Sequence, residues 1–470
     1  MSRVVLVSNR LPISSRRIGG KRVIKRSTGG LVAGLAPVHD ERDSLWMGAL
    51  DSGNYPEALL KEQRLVAIEL PKETARRHYE GYSNQVLWPL FHYLVEHVSF
   101  EGADFDAYQR VNERFAEAIT EIAKPDDTIW VHDYHLMLLP SMLRKSLPKA
   151  RIGFFLHIPF PSSEVFRILP RNEEILQGLL GADLIGLHTY DYGRHLVSSF
   201  RRILGVDFDD GWVRAYDGKC KVGVYPLGVD AAALSKQSRL PAVIKGMELL
   251  RKQTQDRKMI LCVDRMDYTK GIPLRLRAYR RLLAMEPYWE KARRTLSFGG
   301  PSRSNIQSYK DLKGKSIVQL GEINGAFGED GIVPIDYMYR SVSPEKLAAL
   351  YYLADILWVT PLRDGMNLVA KEYVGHRCDA SGVVVLSEFA GAASEMGEAL
   401  QYNPWDIDGT ARTLQQALHM EPKEAAPRMD ALRKRIHAND VNHWANRFLN
   451  GLPRRLCASL TRVQRFQRED

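Results

Sequence analysis

Short apolar runs rich in β-branched residues alternate with longer helical patterns along this chain, and halfway through, the series begins again. Val4–Ser8, Thr128–His132, Ile152–His157, Leu184–Leu187 and Lys221–Pro226 are continuously apolar rather than alternating, the pattern of strands buried on both faces. Tyr108–Ala123, Glu173–Leu180 and Tyr192–Leu204 have helical spacing and fall between them. Strands separated by helices predict βαβ units and a parallel sheet. Met259–Val263, Thr295–Gly299, Ile356–Val359 and Val383–Ser387 read as a second set, with helices over Pro273–Met285, Pro344–Ala354 and Leu368–Gly375. The polar, helix-forming segment Asp230–Arg257 bridges the series. The reading is an α/β chain of two parallel-sheet domains, 1–229 and 230–440, facing a crevice. A final segment, 441–470, is expected to pack back on the first domain: Asn439–Asn450 puts Trp444 and Phe448 on one helix face, and Gly451 and Pro453 end it.

At 470 residues the chain is long enough for two or three domains of about 150 residues each. With 45% hydrophobic and 26% charged residues it is neither disordered nor fibrous. Its four cysteines, Cys220, Cys262, Cys378 and Cys457, lie far apart, which argues against a disulfide framework or a zinc ribbon and suits a reducing, cytoplasmic compartment. The N-terminal apolar run, Val4–Val7, is too short for a signal peptide, and no run approaches the ~18 residues of a membrane span. A formal charge of +10 admits anionic partners. The densest basic run, Arg16–Arg26, has no aromatic residue to stack on a base, so phosphorylated small molecules fit better than nucleic acid.

Ligands of open parallel sheets sit at the carboxyl ends of strands, so chemistry is sought there. The first strand runs into Asn9-Arg10, then a basic loop, Pro12–Thr28, and Thr28-Gly29-Gly30, where backbone amides and a helix N-terminus can meet a phosphate. The spacing is neither a dinucleotide fingerprint nor a Walker A loop. Thr128–His132 leads into Asp133-Tyr134-His135; a carboxylate for a sugar hydroxyl and a His/Asp metal site both stay open here. The next strand ends at His157, a ligand contact or a core histidine. Beyond Val263, Arg265 and Lys270 form either the outline of a diphosphate clamp or a surface ion pair with Asp264 or Asp267. After Ile356–Val359, Asp364-Gly365-Met366-Asn367 turns into a helix whose N-terminus aims amides at an anion, with Glu372 one turn in and able to accept from ribose hydroxyls. The acidic pairs Asp104/Asp106, Asp207/Asp209 and Asp406/Asp408 are not expected to bind metal.

The strings VSNRLP, TGGLVAGL, VLWPLFHY, IWVHDYHLMLLP, IGFFLHIPFPSSEVFR, GLLGADLIGLHTYDY, DRMDYTKGIP and TPLRDGMNLVAKEYV resemble the trehalose-6-phosphate synthases, retaining glycosyltransferases of family 20 with the GT-B fold of two Rossmann-like domains. The resemblance runs from residue 3 to about 450. It implies glucosyl transfer from UDP-glucose to glucose 6-phosphate, without metal or cofactor. It implies that Gly30 lies against the donor diphosphate, that Arg265 and Lys270 clamp it, and that Asp364 holds glucosyl hydroxyls. Asn367, Leu368 and Val369 join the donor site, Glu372 takes the ribose, and His157 contacts the donor sugar near the reacting carbon. Arg10, Tyr79, Trp88, Asp133, Tyr134 and Arg303 form the acceptor pocket, Arg10 and Arg303 holding its phosphate. Tyr79, Trp88 and Arg303 come from the resemblance alone.

The implied catalytic set is His157, Arg265, Lys270 and Asp364, with cations and helix-end amides stabilising the leaving diphosphate. No DxDxT string occurs, so a phosphorylated disaccharide is the expected product. The other readings are a same-fold synthase with another acceptor, such as a glucosylglycerol-phosphate synthase, a non-catalytic sugar-phosphate sensor, and a pyridoxal-phosphate phosphorylase with Lys270 as its Schiff base. A homo-oligomer is compatible with the sequence.

Overall fold

The computed structural model describes residues 3–453 except 19–20, 28, 51–54, 216–217, 255–256, 286–292, 301–302, 304–305 and 329–332. Among the described residues a nine-stranded sheet runs in the spatial order Leu65–Ile68, Ser44–Ala49, Val4–Arg10, Thr128–His132, Arg151–Phe155, Leu184–Leu187, Gly218–Val224, Trp212–Ala215, Phe208–Asp209. The first seven pair in parallel and the last two close the edge as antiparallel ribbons. A six-stranded, wholly parallel sheet follows: Ile335–Met338, Arg293–Gly300, Lys258–Arg265, Ile356–Val359, Val383–Ser387, Leu400–Tyr402.

In each sheet the strand first in sequence lies in the interior, the next two go to one side, and the chain then crosses to the other. That is the 3-2-1-4-5-6 order, which opens a crevice where the direction reverses. In the first sheet the reversal lies between Val4–Arg10 and Thr128–His132, and in the second between Lys258–Arg265 and Ile356–Val359. The polar strand ends picked out from the sequence therefore stand at the two switch points. The strands are apolar throughout because helices cover both faces: Val5, Val7, Ile129, Val131, Ile152 and Phe154 are fully buried on one side, and Leu6, Trp130 and Phe155 on the other.

The helix Val441–Gly451 lies on that second side. The Phe448 ring stacks on Trp130 at 4.6 Å between centroids, and Trp444 lies 5.0 Å from the same indole. The sheet makes room with glycine, since a Cβ on Gly153 or Gly186 would come within 2.7 Å of Phe448.

The basic stretch expected as a loop, Pro12–Thr28, is instead largely an antiparallel hairpin of Ile13–Ile18 and Lys21–Arg26, with Thr28 outside the described residues.

Candidate functional site

Among the described residues, several contacts bind the loops of the two sheets to each other. Gly365 sits so close to the His157 loop that a Cβ there would lie 2.0 Å from the His157 carbonyl oxygen. The Tyr192 hydroxyl donates to the Asp364 carbonyl at 2.9 Å. Buried Lys371 donates to the Leu227 carbonyl at 2.7 Å and pairs with Glu395.

One wall of the crevice is a π-helix, Arg77–Leu87, leading into Trp88–Phe91. The π-helix repeats at i+5, so Tyr79, Asn84 and Trp88 share a face. Asn84 donates to the Tyr79 carbonyl at 2.6 Å and accepts from the Tyr134 hydroxyl at 2.9 Å. Tyr79 stacks on His135, and Trp88 packs against Tyr134. Guanidinium groups lie on these rings: Arg10 is 4.2 Å from the Tyr79 centroid, and Arg303 and Arg265 are 3.9 and 5.7 Å from that of Trp88. Burial would raise the Tyr79 phenol, but Arg303, Arg10 and Arg265 overcome it and hold the group below its ordinary value. These three cations thus converge on one pocket. Trp88 Nε1, His135 Nε2 and Arg303 Nε are buried there without hydrogen-bond partners among the described residues.

Arg303 is itself braced. It pairs with fully buried Asp267 at 3.1 Å, donates to the Tyr309 hydroxyl and reaches the Tyr134 hydroxyl at 3.3 Å. Burial raises the Asp267 carboxyl, but Arg303, Arg265 and Lys270 bring it below the ordinary range. Asp267 and Tyr309 were not among the sequence candidates, although Asp267 lies inside the string DRMDYTKGIP.

Asp133 stands on the floor. Its backbone is left-handed, φ 76°, and its carboxylate accepts from the His157 amide at 3.2 Å. Burial pushes its carboxyl up to about 7 against the backbone amides, Arg303 and Arg265 that favour the anion. Arg303 and Asn367 also have positive φ, 40° and 73°. Non-glycine residues held in that region gather where surrounding structure over-determines them.

On the second sheet's side, Lys270 is bonded to Asp364, which also accepts from Asn367 Nδ2 at 3.1 Å. Burial would raise the Asp364 carboxyl, and Lys270 outweighs it, so the group is an anion below the usual range. Lys270 therefore presents its remaining N–H bonds rather than a bare charge. Asn367 caps the helix Leu368–His376 by accepting from the Ala370 amide at 3.3 Å. The first-turn amides of Leu368 and Val369 have no intrahelical acceptor. Gly30 opens the helix Gly30–Glu41 directly beside them: a Cβ on it would lie 3.6 Å from Leu368 Cδ1. Two helix N-termini thus meet across the crevice, an arrangement suited to an anion. Glu372, one turn along, is half-buried, accepts from Tyr351 at 3.1 Å and is raised by burial.

His157 lies between these groups, half-buried, with His132 on one side and His188 on the other. The HDYH string does not act as one chelate: His132 turns to His157 and His135 to Tyr79. Among the described residues no three His, Cys, Asp or Glu side chains group as metal ligands. Also among the described residues, no helix is long and apolar enough to cross a membrane.

The description "Glycosyltransferase family 20" matches residues 2–454. The chain is 40% identical to the alpha,alpha-trehalose-phosphate synthase [UDP-forming] A of Dictyostelium discoideum over 96% of its own length, and spans 62% of that protein. It is also 40% identical to a trehalose-6-phosphate synthase of Mycobacterium sp. (strain JLS), covering 95% of both chains. A Burkholderia xenovorans alpha,alpha-trehalose-phosphate synthase (UDP-forming), solved in complex with glucose-6-phosphate, superposes with a TM-score of 0.88 at 34% identity over 96% of this chain and 100% of that one. An E. coli trehalose-6-phosphate structure bound with UDP-2-fluoro glucose gives 0.87 at 34% identity over 96% and 99%.

Proposed function

The chain belongs to glycosyltransferase family 20 and has the GT-B fold, and from that premise we propose that it transfers glucose from UDP-glucose to glucose 6-phosphate, giving alpha,alpha-trehalose 6-phosphate and UDP. The observation that carries this reading is the convergence of Arg10, Arg265 and Arg303 on Tyr79 and Trp88. A phosphate monoester brings close to two negative charges, which planar guanidinium forks match. The aromatic faces beneath them suit a sugar ring. Opposite lies the donor side: the Gly30 turn and the Leu368 and Val369 amides take the diphosphate, with Lys270 and Arg265 as countercharges, Asp364 on glucosyl hydroxyls and Glu372 on the ribose.

In the step itself, the bond from the anomeric carbon to the β-phosphate oxygen breaks as an acceptor hydroxyl oxygen bonds to that carbon on the same face. The hydroxyl proton passes to the departing phosphate, so the configuration is retained and the products are the disaccharide phosphate and UDP. Negative charge grows on the diphosphate, where Arg265, Lys270 and the helix-end amides already stand, so the chain's own cations supply the countercharge. His157, against the donor sugar, and Asp133, on the acceptor side, hold hydroxyls in line. Cys262 and Cys378, free thiols, suit a reducing, cytoplasmic setting for this chemistry.

The test is a donor and acceptor panel with products resolved by mass. UDP-glucose with glucose 6-phosphate should give a phosphorylated disaccharide, in excess chelator as well. Loss of the acceptor phosphate should lower turnover as well as affinity, because its binding energy positions the attacking hydroxyl. Equal rates with glucose and glucose 6-phosphate would overturn the acceptor assignment.

A further inference from the structure

His132 ends its strand fully buried, 3.1 Å from His157 through its Nδ1 and the neighbour's Nε2. Burial holds both imidazoles well below their ordinary range, so each is neutral and carries one N–H. The shared hydrogen bond has only two assignments. In one, His157 Nε2–H donates to His132 Nδ1, and the His132 proton then sits on Nε2. That nitrogen is buried with no partner among the described residues, so this assignment orphans an N–H. In the other, His132 Nδ1–H donates, and Nε2 is a bare acceptor. An unused buried acceptor is tolerated more readily than an orphaned donor.

The surroundings point the same way. The rings beside His132 include Trp130, 4.6 Å away between centroids, and Trp444 at 6.5 Å. Their indole nitrogens, also buried and without partners, can only donate. These neighbours offer His132 Nε2 no acceptor, so an N–H there would stay unpaired.

We propose that His132 is a positioning residue: by donating Nδ1–H to His157 Nε2 it locks His157 in the tautomer whose Nδ1–H is its single donor. That donor is then available to a sugar hydroxyl oxygen, and the other tautomer would offer the sugar a lone pair instead. Phe155, His188 and Trp444 pack around the His157 ring and leave the tautomer to this one hydrogen bond. The consequence for sugar binding rests on the reading of His157 as a donor-sugar contact; the tautomer itself does not.

The experiment uses the full chain with 15N-labelled histidine. Long-range 1H–15N spectra report each neutral tautomer, and the His157 signal is identified by its loss in His157→Gln. Wild type should show His157 as Nδ1–H. His132→Asn keeps an amide N–H near the old Nδ1 and should keep that tautomer, whereas His132→Leu should give a mixture. Turnover should follow: kcat with UDP-glucose falls about tenfold in His132→Leu, the worth of one hydrogen bond, with KM for glucose 6-phosphate unchanged and kcat largely restored in His132→Asn. A wild-type His157 protonated on Nε2 would overturn the proposal whatever the activity. Equal losses in the Asn and Leu variants would reduce His132 to packing. An Nδ1–H tautomer in a chain without glucosyl transfer would retain the tautomer lock and sink the functional reading alone.

Discussion

Asp133 meets two opposed demands, burial that favours the acid and guanidinium groups that favour the anion. Its carboxyl is raised from an ordinary 3.8 to about 7. The folded chain therefore keeps a proton that the unfolded chain releases above pH 3.8. The stability this brings is full below that pH, is lost as pH rises toward 7, and is constant beyond. Three pH units correspond to on the order of 4 kcal/mol. Urea unfolding of wild type and Asp133→Asn between pH 4 and 8 checks it: wild type should lose stability relative to the variant across that window, and parallel curves would show that Asp133 titrates normally. Asp133 was legible in the sequence because a polar residue directly after a buried apolar strand has few structural reasons to be there. His157, Arg265, Lys270 and Asp364 were legible on the same ground. Asp267, Tyr309 and Tyr192 were not, because each acts by bracing another side chain or loop, Arg303 or Asp364, brought near only by the fold.

At the scale of elements, the central strands could be read because burial on both faces leaves an unbroken apolar run. Ser44–Ala49, which carries Trp46, Met47 and Gly48 in place of a β-branched run, and the four-residue edge strand Leu65–Ile68 escaped notice. The π-helix Arg77–Leu87 has no composition of its own, and its i+5 face emerges only when Tyr79 and Trp88 are seen on one wall. The helix Val441–Gly451 was plain from the Trp444/Phe448 spacing, but its seat was not, since Gly153 and Gly186 reveal their purpose only beneath Phe448. Phe448 is fully buried, so Phe448→Ala should cost about 3–5 kcal/mol, while exposed Asn450→Ala on the same helix should stay within about 0.5 kcal/mol. Thermal unfolding of the pair decides it. Because Trp444 also packs on His157, 6.2 Å between centroids, loosening this helix should lower turnover too.

The whole molecule brings two switch points face to face, and the tightest point of that meeting is Gly365. It has no room for a side chain: a Cβ would stand 2.0 Å from the His157 carbonyl oxygen, which is backbone and cannot rotate aside. Gly391 packs against it from behind, its own Cβ position 1.9 Å from the Gly365 carbonyl oxygen, so the loop cannot retreat either. Added bulk must therefore push the Asp364 loop and the His157 loop apart. The separation moves the first sheet's His157 and Asp133 away from Asp364, Lys270 and the Leu368 helix, and so pulls apart groups proposed to hold the two substrates at the reacting carbon. Gly365 contributes no side chain to any of the buried clusters, one of which runs through both sheets. Gly365→Ala should accordingly leave the circular dichroism spectrum intact. A displacement of about 1 Å between reacting groups costs on the order of a hundredfold in rate, so kcat should fall by that order. UDP binding, proposed to draw on the second sheet's side and the Gly30 turn, should weaken far less, and calorimetric titration beside steady-state kinetics separates the two effects. Wild-type turnover in Gly365→Ala would mean that the crevice does not need this contact to align its substrates.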